Sequence, residues 1–467
     1  MERRIVGIDL GIASEHTVRV LSGDASVLAK RRAIPTKESL EAICEVALRG
    51  APAGTVLEVV IEPTGPAWLP IAVFFTSRGH RVFRVSSQKA SDLRKFFSRH
   101  AKSNGIDADT LARLAIVAPD SLRPLELQSA DRASLDRRVR ATDRLTREAA
   151  QHKVRIKDLV RQLLPMSPLH GDLVKADLAV LERFADPRAL LRAGRARLAR
   201  LIATSSHNHL GVARAEEWLS AAHTALELYG EHPAVAFADL AAEVATEVRL
   251  LRALEAEIAG HAEARERAYV AVDPAQLARS LPGLKTIGGP ALVACMGDPT
   301  RFTNAAAFRS FTGLTPKASE TGNTDRKGQP ISKAGSSLLR TTLIRAADTA
   351  RKQDPELARI YRTQMVERGK SHLGATCVVA AELAERAFVV MSRATPYELR
   401  DLERRPITPE SAKTLIAERL SVSEDVRARR RSAKAGKAPQ RSARSTTRRP
   451  SPTPTPADVD AHVKRSA

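Results

Sequence analysis

Cysteine is scarce in this chain: Cys44, Cys295 and Cys377 are the only three in 467 residues, far apart and without a CxxC pair. That spacing excludes a disulfide framework and a cysteine-based zinc site, and it fits a reducing, cytoplasmic setting. Aromatic residues are almost as rare, at 4%, too few for single-strand binding built on rows of stacking rings. No apolar run approaches the ~20 residues of a membrane helix. The N-terminal MERRIVGIDLG enters a strand pattern without an apolar signal core.

Acid is in short supply too. Asp and Glu number 53 against 75 Lys and Arg, a net charge of +22. Hydrophobic residues make up 43%, so there is material for true cores, and at roughly 150 residues per domain the length suggests two to four of them. The excess of cations points to a polyanion, nucleic acid first. Its distribution is uneven: residues 427–467 hold twelve Lys and Arg against two Asp. With SPTPTPA near the end, that stretch has the composition of a disordered basic tail.

The first ~117 residues alternate strand and helix patterns. RIVGIDLGI (4–12), HTVRVLS (16–22) and a run near 25–31 read as a meander. A helix over 37–48, a buried strand over 55–63, a helix near 66–78, a strand over 81–86 and helices near 88–98 and 105–117 follow. Three antiparallel strands, then helix, strand, helix, strand, helix, is the order of an α/β RNase H-like domain. Residues 129–164 read as one long helix with a heptad-like seam, polar in its middle, through Leu135, Val139, Thr142, Thr146, Ala149, Lys153, Ile156, Val160 and Leu163. A second seam, Leu240, Val244, Val248, Leu251, Leu254 and Ile258, lies on a helix near 236–266. The two suggest an antiparallel pair around a helical insert at 171–230; ordinary bundle helices are the alternative. A mostly helical third block begins near 277.

Three acids stand out. Asp9 sits inside GIDLG, in the middle of an apolar strand, where a carboxylate is costly unless paired, hydrogen-bonded or metal-bound. Glu62 closes the apolar VVIEPTG strand, and Asp107 lies near the start of a helix. Taken singly, Glu62 reads as a strand-end surface acid and Asp107 as a helix N-cap. Taken together in an RNase H-like order, the acids converge on one pocket, the arrangement that holds Mg²⁺ for phosphodiester cleavage.

In the third block, LPGLKTIGG (281–289) resembles a helix-hairpin-helix start, with Gly283 and Lys285 placed to meet a DNA phosphate; a plain helix cap is the alternative. TDRKGQPISKAGSSLLR (324–340) then supplies Arg326, Lys327, Lys333 and Arg340, either DNA-binding cations or a solvated basic loop.

GIDLG (7–11), IEPTG (61–65), AKSNGIDADTLA (101–112) and the LPG…GDPTRF…GLTP…SKAG…LR series (281–340) occur in the order found in the insertion-sequence 110 family of transposases. The chain resembles that family over residues 1 to ~395. The resemblance implies a RuvC-like DEDD catalytic domain over 1–125, a helical, coiled-coil and insert region over 126–275, and a C-terminal transposase domain over 276–395, before a basic, largely disordered tail at 396–467. It also implies Mg²⁺-dependent strand exchange on element ends and target DNA through a covalent protein–DNA intermediate. An element-encoded guide RNA, a homo-oligomer (dimer or tetramer), a nucleoid-associated location and no membrane partner belong to the same expectation. A stand-alone RuvC-like junction nuclease and a catalytically decayed DNA-binding protein are the rival readings.

Two positions depart from the family pattern. Its third motif supplies two Asp three residues apart, and here they fall on Asn104 and Asp107. Asp109 lies two residues on, on another helix face, and is a poor substitute. The family's nucleophilic Ser before a Gly falls on Thr321, with Ser319 the other candidate. The implied catalytic set is therefore Asp9, Glu62, Asn104, Asp107 and Thr321 or Ser319, with Asp9, Glu62, Asp107 and Asn104 holding the metal.

Overall fold

The computed structural model describes all residues except Met1, Thr64, 98–102, 231–234, 318–319, 322–323, 326–328 and 436–467. It divides into two compact units, Met1–Ser129 and Ala130–Ala467.

The first unit is built on a five-stranded sheet. Its strands are β1 (Arg4–Asp9), β2 (His16–Ser22), β3 (Val27–Ala33), β4 (Leu57–Ile61) and β5 (Arg81–Arg84), in the spatial order β3-β2-β1-β4-β5. β2 runs antiparallel to β1 and β3, while β1, β4 and β5 are mutually parallel. The order and directions match the RNase H-like expectation. The helices are α1 (Lys37–Leu48), α2 (Trp68–Thr76), α3 (Ser87–Phe97) and α4 (Asn104–Val117).

Side chains alternate across a strand, so each sheet face has its own core. Val6, Ile8, Val18, Val20, Val59 and Ile61 pack on the α1–α2 side. Ile5, Leu21 and Val60 pack with Leu111, Ala112 and Leu114 of α4. Gly7 lies on this second face, and α4 runs directly over it: a Cβ on Gly7 would stand 2.1 Å from the Ala108 carbonyl oxygen and 2.7 Å from the Ala112 nitrogen. The absence of a side chain at residue 7 thus sets how closely α4 approaches β1.

Among its described residues the second unit is helical apart from one small hairpin. Its spine is α5 (Ala130–Leu163) against α9 (Phe237–Val272). Thr142 faces Arg265 and His152 faces Glu247, so the helices run antiparallel. Leu135, Val139, Thr142, Ala149, Ile156, Val160 and Leu163 are buried along α5, and Val244, Val248 and Leu251 along α9. The spine carries two cores. At one end α6 (Lys175–Phe184), α7 (Pro187–Ser205) and α8 (Val212–Tyr229) enclose Trp218 and Leu181. The buried Asp177 carboxylate there accepts from the Arg214 guanidinium at 2.8 and 3.0 Å, and from the Trp218 indole at 3.3 Å. The bidentate pairing satisfies a charge that burial alone would disfavour.

The other core joins Leu135, Val139 and Tyr269 to α10 (Leu277–Ser280), α11 (Gly288–Met296), α12 (Ala305–Thr312), α13 (Ser337–Ala350), α14 (Pro355–Arg362) and α15 (His372–Arg393). Between α12 and α13 lie the short strands β6 (Glu320–Thr321) and β7 (Thr324–Asp325). The expectation of a disordered segment from residue 396 is corrected over 396–435. α16 (Pro409–Leu415) and α17 (Glu424–Ala435) follow α15, and Val422 and Val426 pack into the same core. These apolar residues are too widely spaced among charges to stand out in composition. Residues 436–467 lie outside the described residues.

Candidate active site

Asp9 is the last residue of β1 rather than its centre, and it is half-buried. β1 and β4 pair up to Ile8 and Ile61, so Asp9 and Glu62 follow side by side at the same end of two parallel strands. Alternation puts both on the face covered by α4, with Gly7 and Val60. After Asp9 the chain turns tightly. A Cβ on Gly11 would stand 2.4 Å from the Ser14 carbonyl oxygen, and the Gly11 N–H donates to His16 Nδ1 at 3.2 Å. Burial lowers the pKa of His16, which favours the neutral ring that this bond requires.

The third acid arrives on α4. Ser103 caps that helix, its hydroxyl accepting from the Ile106 N–H at 3.3 Å, so Asp107 is a first-turn acid and not the cap. A carboxylate there also interacts favourably with the helix dipole. Asp107 accepts from the Arg94 guanidinium at 2.9 Å. Arg94, on α3, has its pKa raised first by that hydrogen bond, and then by the charges of Asp107, Glu62 and Asp9, against the opposing effect of burial. Asp9, Glu62 and Asp107 therefore act on one cation, whose presence no sequence motif announces. Asp109 pairs instead with Arg113 at 2.6 Å along the helix. Asn104 is exposed and lines a separate cavity with Thr17, Arg19, Lys30, Arg31, Arg32, Ser103 and Gly105.

Asp9, Glu62 and Asp107 offer hard oxygen donors, which fit a divalent cation of the Mg²⁺ class in donor type. They are not closed upon one in this conformation: among the described residues, no group of three His, Cys, Asp or Glu side chains stands close enough to hold a metal ion. Arg94 places one positive charge against Asp107.

In the second unit, the GLTP and SKAG segments form the two legs of a stem. The Lys333 N–H donates to the Gly313 carbonyl at 3.1 Å, that of Ser332 to Thr315 at 2.8 Å, and that of Lys317 to Pro330 at 3.0 Å. Both glycines are obligatory at the base. Gly313 has φ +72° and Gly335 φ +93°, and a Cβ on either would stand 2.1 Å from a carbonyl oxygen, that of Ala334 or Phe311 respectively. The stem leads to the hairpin of β6 and β7, with Glu320 opposite Asp325 and Thr321 opposite Thr324. Thr321 is thus the last paired residue before Gly322 and Asn323, so it belongs to a hairpin. Arg340 donates to the Lys333 carbonyl at 3.2 Å, bringing those two predicted cations together; Lys333 itself is exposed. Ser319, Arg326 and Lys327 lie outside the described residues.

The LPG turn joins α10 to α11. Gly283 has φ +79°, and a Cβ there would stand 2.2 Å from the Ala346 carbonyl oxygen, so this glycine seats the turn on α13. Lys285 is exposed just before α11. The thiols offer no competing nucleophile: burial pushes Cys44 up to about 11 and raises Cys295 and Cys377 as well.

Comparison with known proteins agrees with this architecture. Residues 6–165 match a DEDD-type transposase domain model of the IS110 group, described as "Transposase", and residues 275–362 match the "Transposase IS116/IS110/IS902 family". The chain is 27% identical over 405 residues to the "Insertion element IS110 uncharacterized 43.6 kDa protein" of Streptomyces coelicolor, covering 85% of this chain and 95% of that one. It is 38% identical over 99 residues to the "Probable family 20 transposase" of Pseudomonas aeruginosa, covering 21% and 28% of the two chains. The DEDD-type match carries an RNase H-like fold and points to divalent-metal use in general. Among the described residues no helix is long and apolar enough to cross a membrane. With an acid-bearing RNase H-like unit, a glycine-clamped hairpin in the second unit and both family models matched in order, the chain belongs to the IS110 family of transposases, enzymes that bind and move DNA.

Proposed function

We propose that this transposase cuts and rejoins DNA strands through a covalent protein–DNA intermediate, with Mg²⁺ held by Asp9, Glu62 and Asp107 and the Thr321 hydroxyl as nucleophile. The observation that carries this reading is geometric: Asp9 and Glu62 follow at the same end of the paired strands β1 and β4, and Asp107 lies on the helix that runs over Gly7. A bound Mg²⁺ supplies Lewis acidity and neutralises charge at the scissile phosphate.

The chain's own residues do the rest. β1 and β4 fix Asp9 and Glu62 on a rigid sheet end, and α4 delivers Asp107 from above Gly7. Arg94 orients Asp107 through a charged hydrogen bond. The glycine-based stem carries the β6–β7 hairpin in which Thr321 is paired. In the covalent step the Thr321 oxygen bonds to phosphorus as the phosphorus–oxygen bond to the leaving strand breaks. The proton lost by the hydroxyl is balanced by one taken up by the leaving oxygen. Reversal with a second strand completes exchange and releases the threonine. Lys333 and Arg340, with Arg326 and Lys327, supply countercharge to the phosphate, and Gly283 and Lys285 hold flanking backbone.

The protein works on element ends and target DNA as a homo-oligomer, a dimer or tetramer, directed by an element-encoded RNA, in the nucleoid. The basic surface and the family membership support the DNA and RNA partners.

The test is denaturing electrophoresis after full-length protein is incubated with element-end DNA, its RNA and Mg²⁺. DNA attached to protein, lost in Thr321→Ala by about 10³-fold or more and kept in Thr321→Ser and Ser319→Ala, is the expected result. An adduct that survives in Thr321→Ala but not in Ser319→Ala moves the nucleophile. Free cut ends with no adduct overturn the covalent mechanism.

A further inference from the structure

A cavity of about 680 Å³ in the first unit is lined by Arg19, Lys30, Arg31 and Arg32, together with Thr17, Ser103, Asn104 and Gly105. Four cations therefore meet the first turn of α4, and among the described residues that line the cavity there is no acid. Glu15 pairs with Arg32 at 3.4 Å, both side chains being largely exposed, which leaves the cavity strongly positive.

The register places it relative to the acids. Asp9 pairs with Thr17, which pairs with Arg32; Gly7 pairs with Arg19, which pairs with Lys30. Directly paired residues share a sheet face, so Arg19, Lys30 and Arg32 continue across the face that carries Asp9. The Arg19 guanidinium lies against Gly105, where a Cβ would stand 2.4 Å from its Nη2. β3 lies two strands from β1, about 10 Å at about 4.8 Å per strand, the reach of about three nucleotides at 3.4 Å each.

Asn104 acquires a reason in this setting. It occupies the position where the family pattern has an acid, yet its neighbours in the cavity are cations. A neutral amide leaves their field intact for an anionic ligand and can donate an N–H to it.

We propose that Arg19, Lys30, Arg32 and Asn104 form a phosphate-binding subsite for the DNA strand that is cut. The subsite holds backbone phosphates one to a few nucleotides from the cleavage position and so sets which linkage reaches the acids. This rests on the reading of Asp9, Glu62 and Asp107 as the cleavage centre. Asn104 is here a substrate-contacting residue, while Asp107, one turn on, serves the acids.

Binding of full-length protein to a labelled single-stranded DNA, and to RNA of the same sequence, is measured in EDTA across a salt series. The Arg19→Gln/Lys30→Gln/Arg32→Gln variant is expected to bind DNA about 10- to 100-fold more weakly at low salt, with the log–log salt slope reduced by about 2. Asn104→Asp, an isosteric change at an exposed helix start, is expected to weaken DNA binding about 5-fold by placing a carboxylate among the cations. An unchanged DNA slope in the triple variant, with unaltered thermal unfolding, overturns the proposal. Loss confined to RNA overturns it in favour of a guide-RNA surface. Asn104→Asp that leaves DNA affinity intact and raises metal-dependent cleavage returns Asn104 to the acids. Because EDTA prevents cleavage, binding that behaves as expected in a protein that never cuts DNA refutes the cleavage reading while leaving the subsite standing.

Discussion

Asp9→Asn is expected to lower metal-dependent DNA strand cleavage by about 10³-fold, roughly 4 kcal/mol of transition-state stabilisation, while leaving the fold intact. The change keeps size and hydrogen-bonding capacity and removes one charge. Asp9 ends β1, and the turn that follows is braced by the Gly11 N–H on His16 Nδ1, a bond in which Asp9 takes no part. What depends on Asp9 is the concentration of negative charge beside Arg94. A site built to hold a hard cation loses affinity steeply when one of three carboxylates becomes an amide. Glu62→Gln is expected to behave similarly. Asp107→Asn differs, because it also weakens the charged hydrogen bond from Arg94 at 2.9 Å, adding local loosening of α3 against α4. Strand cleavage and chemical denaturation, measured on the same preparations, separate the two effects.

Gly7→Ala is expected to be the more disruptive change, although it adds one methyl group far from any reacting atom. Its Cβ would stand 2.1 Å from the Ala108 carbonyl oxygen and 2.9 Å from the Ala112 Cβ, and neither backbone nor Ala side chain can rotate away. α4 must shift outward, at a cost of about 3 kcal/mol or more in overpacking. The shift carries Asp107 away from Asp9 and Glu62. Denaturation should show lower stability, and cleavage should fall even where the protein remains folded. Gly105→Ala is the contrast, since the atom it meets is the end of the flexible Arg19 side chain.

The sheet is legible in the sequence because its strands alternate within one chain segment of short, β-branched runs broken by turn residues. The predicted strands and helices of residues 4–117 meet the observed ones within a few residues. The long helices α5 and α9 are legible for a related reason: an apolar seam repeated over many turns outweighs its polar interruptions. Asp9 and Glu62 are visible as acids at the ends of apolar strands. Arg94 is not, because its role arises only when α3 and α4 pack together, and nothing local distinguishes it from the other arginines. The cavity beside Asn104 is hidden for the same reason, although the Lys30-Arg31-Arg32 run within a strand is a signal worth reading. The β6–β7 hairpin escapes notice because its strands are two residues each, below any detectable period, and α16 and α17 are too short or too charged to stand out; α14 has a clear apolar face in Leu357, Ala358 and Tyr361 but is only eight residues long.

The net charge looks different in this light. Much of it belongs to the C-terminal stretch and supplies salt-sensitive attraction without chemistry. In the proposed mechanism the chemistry rests on a few acids in an otherwise basic protein.

The most direct test of that statement is Mn²⁺ binding, followed by electron paramagnetic resonance on the full-length protein without DNA. Saturable binding by the unaltered chain, abolished in Asp9→Asn and in Glu62→Gln but retained in Asp109→Asn, is the predicted result. Equal Mn²⁺ binding by the unaltered chain and Asp9→Asn would contradict it and remove Asp9 from the metal site.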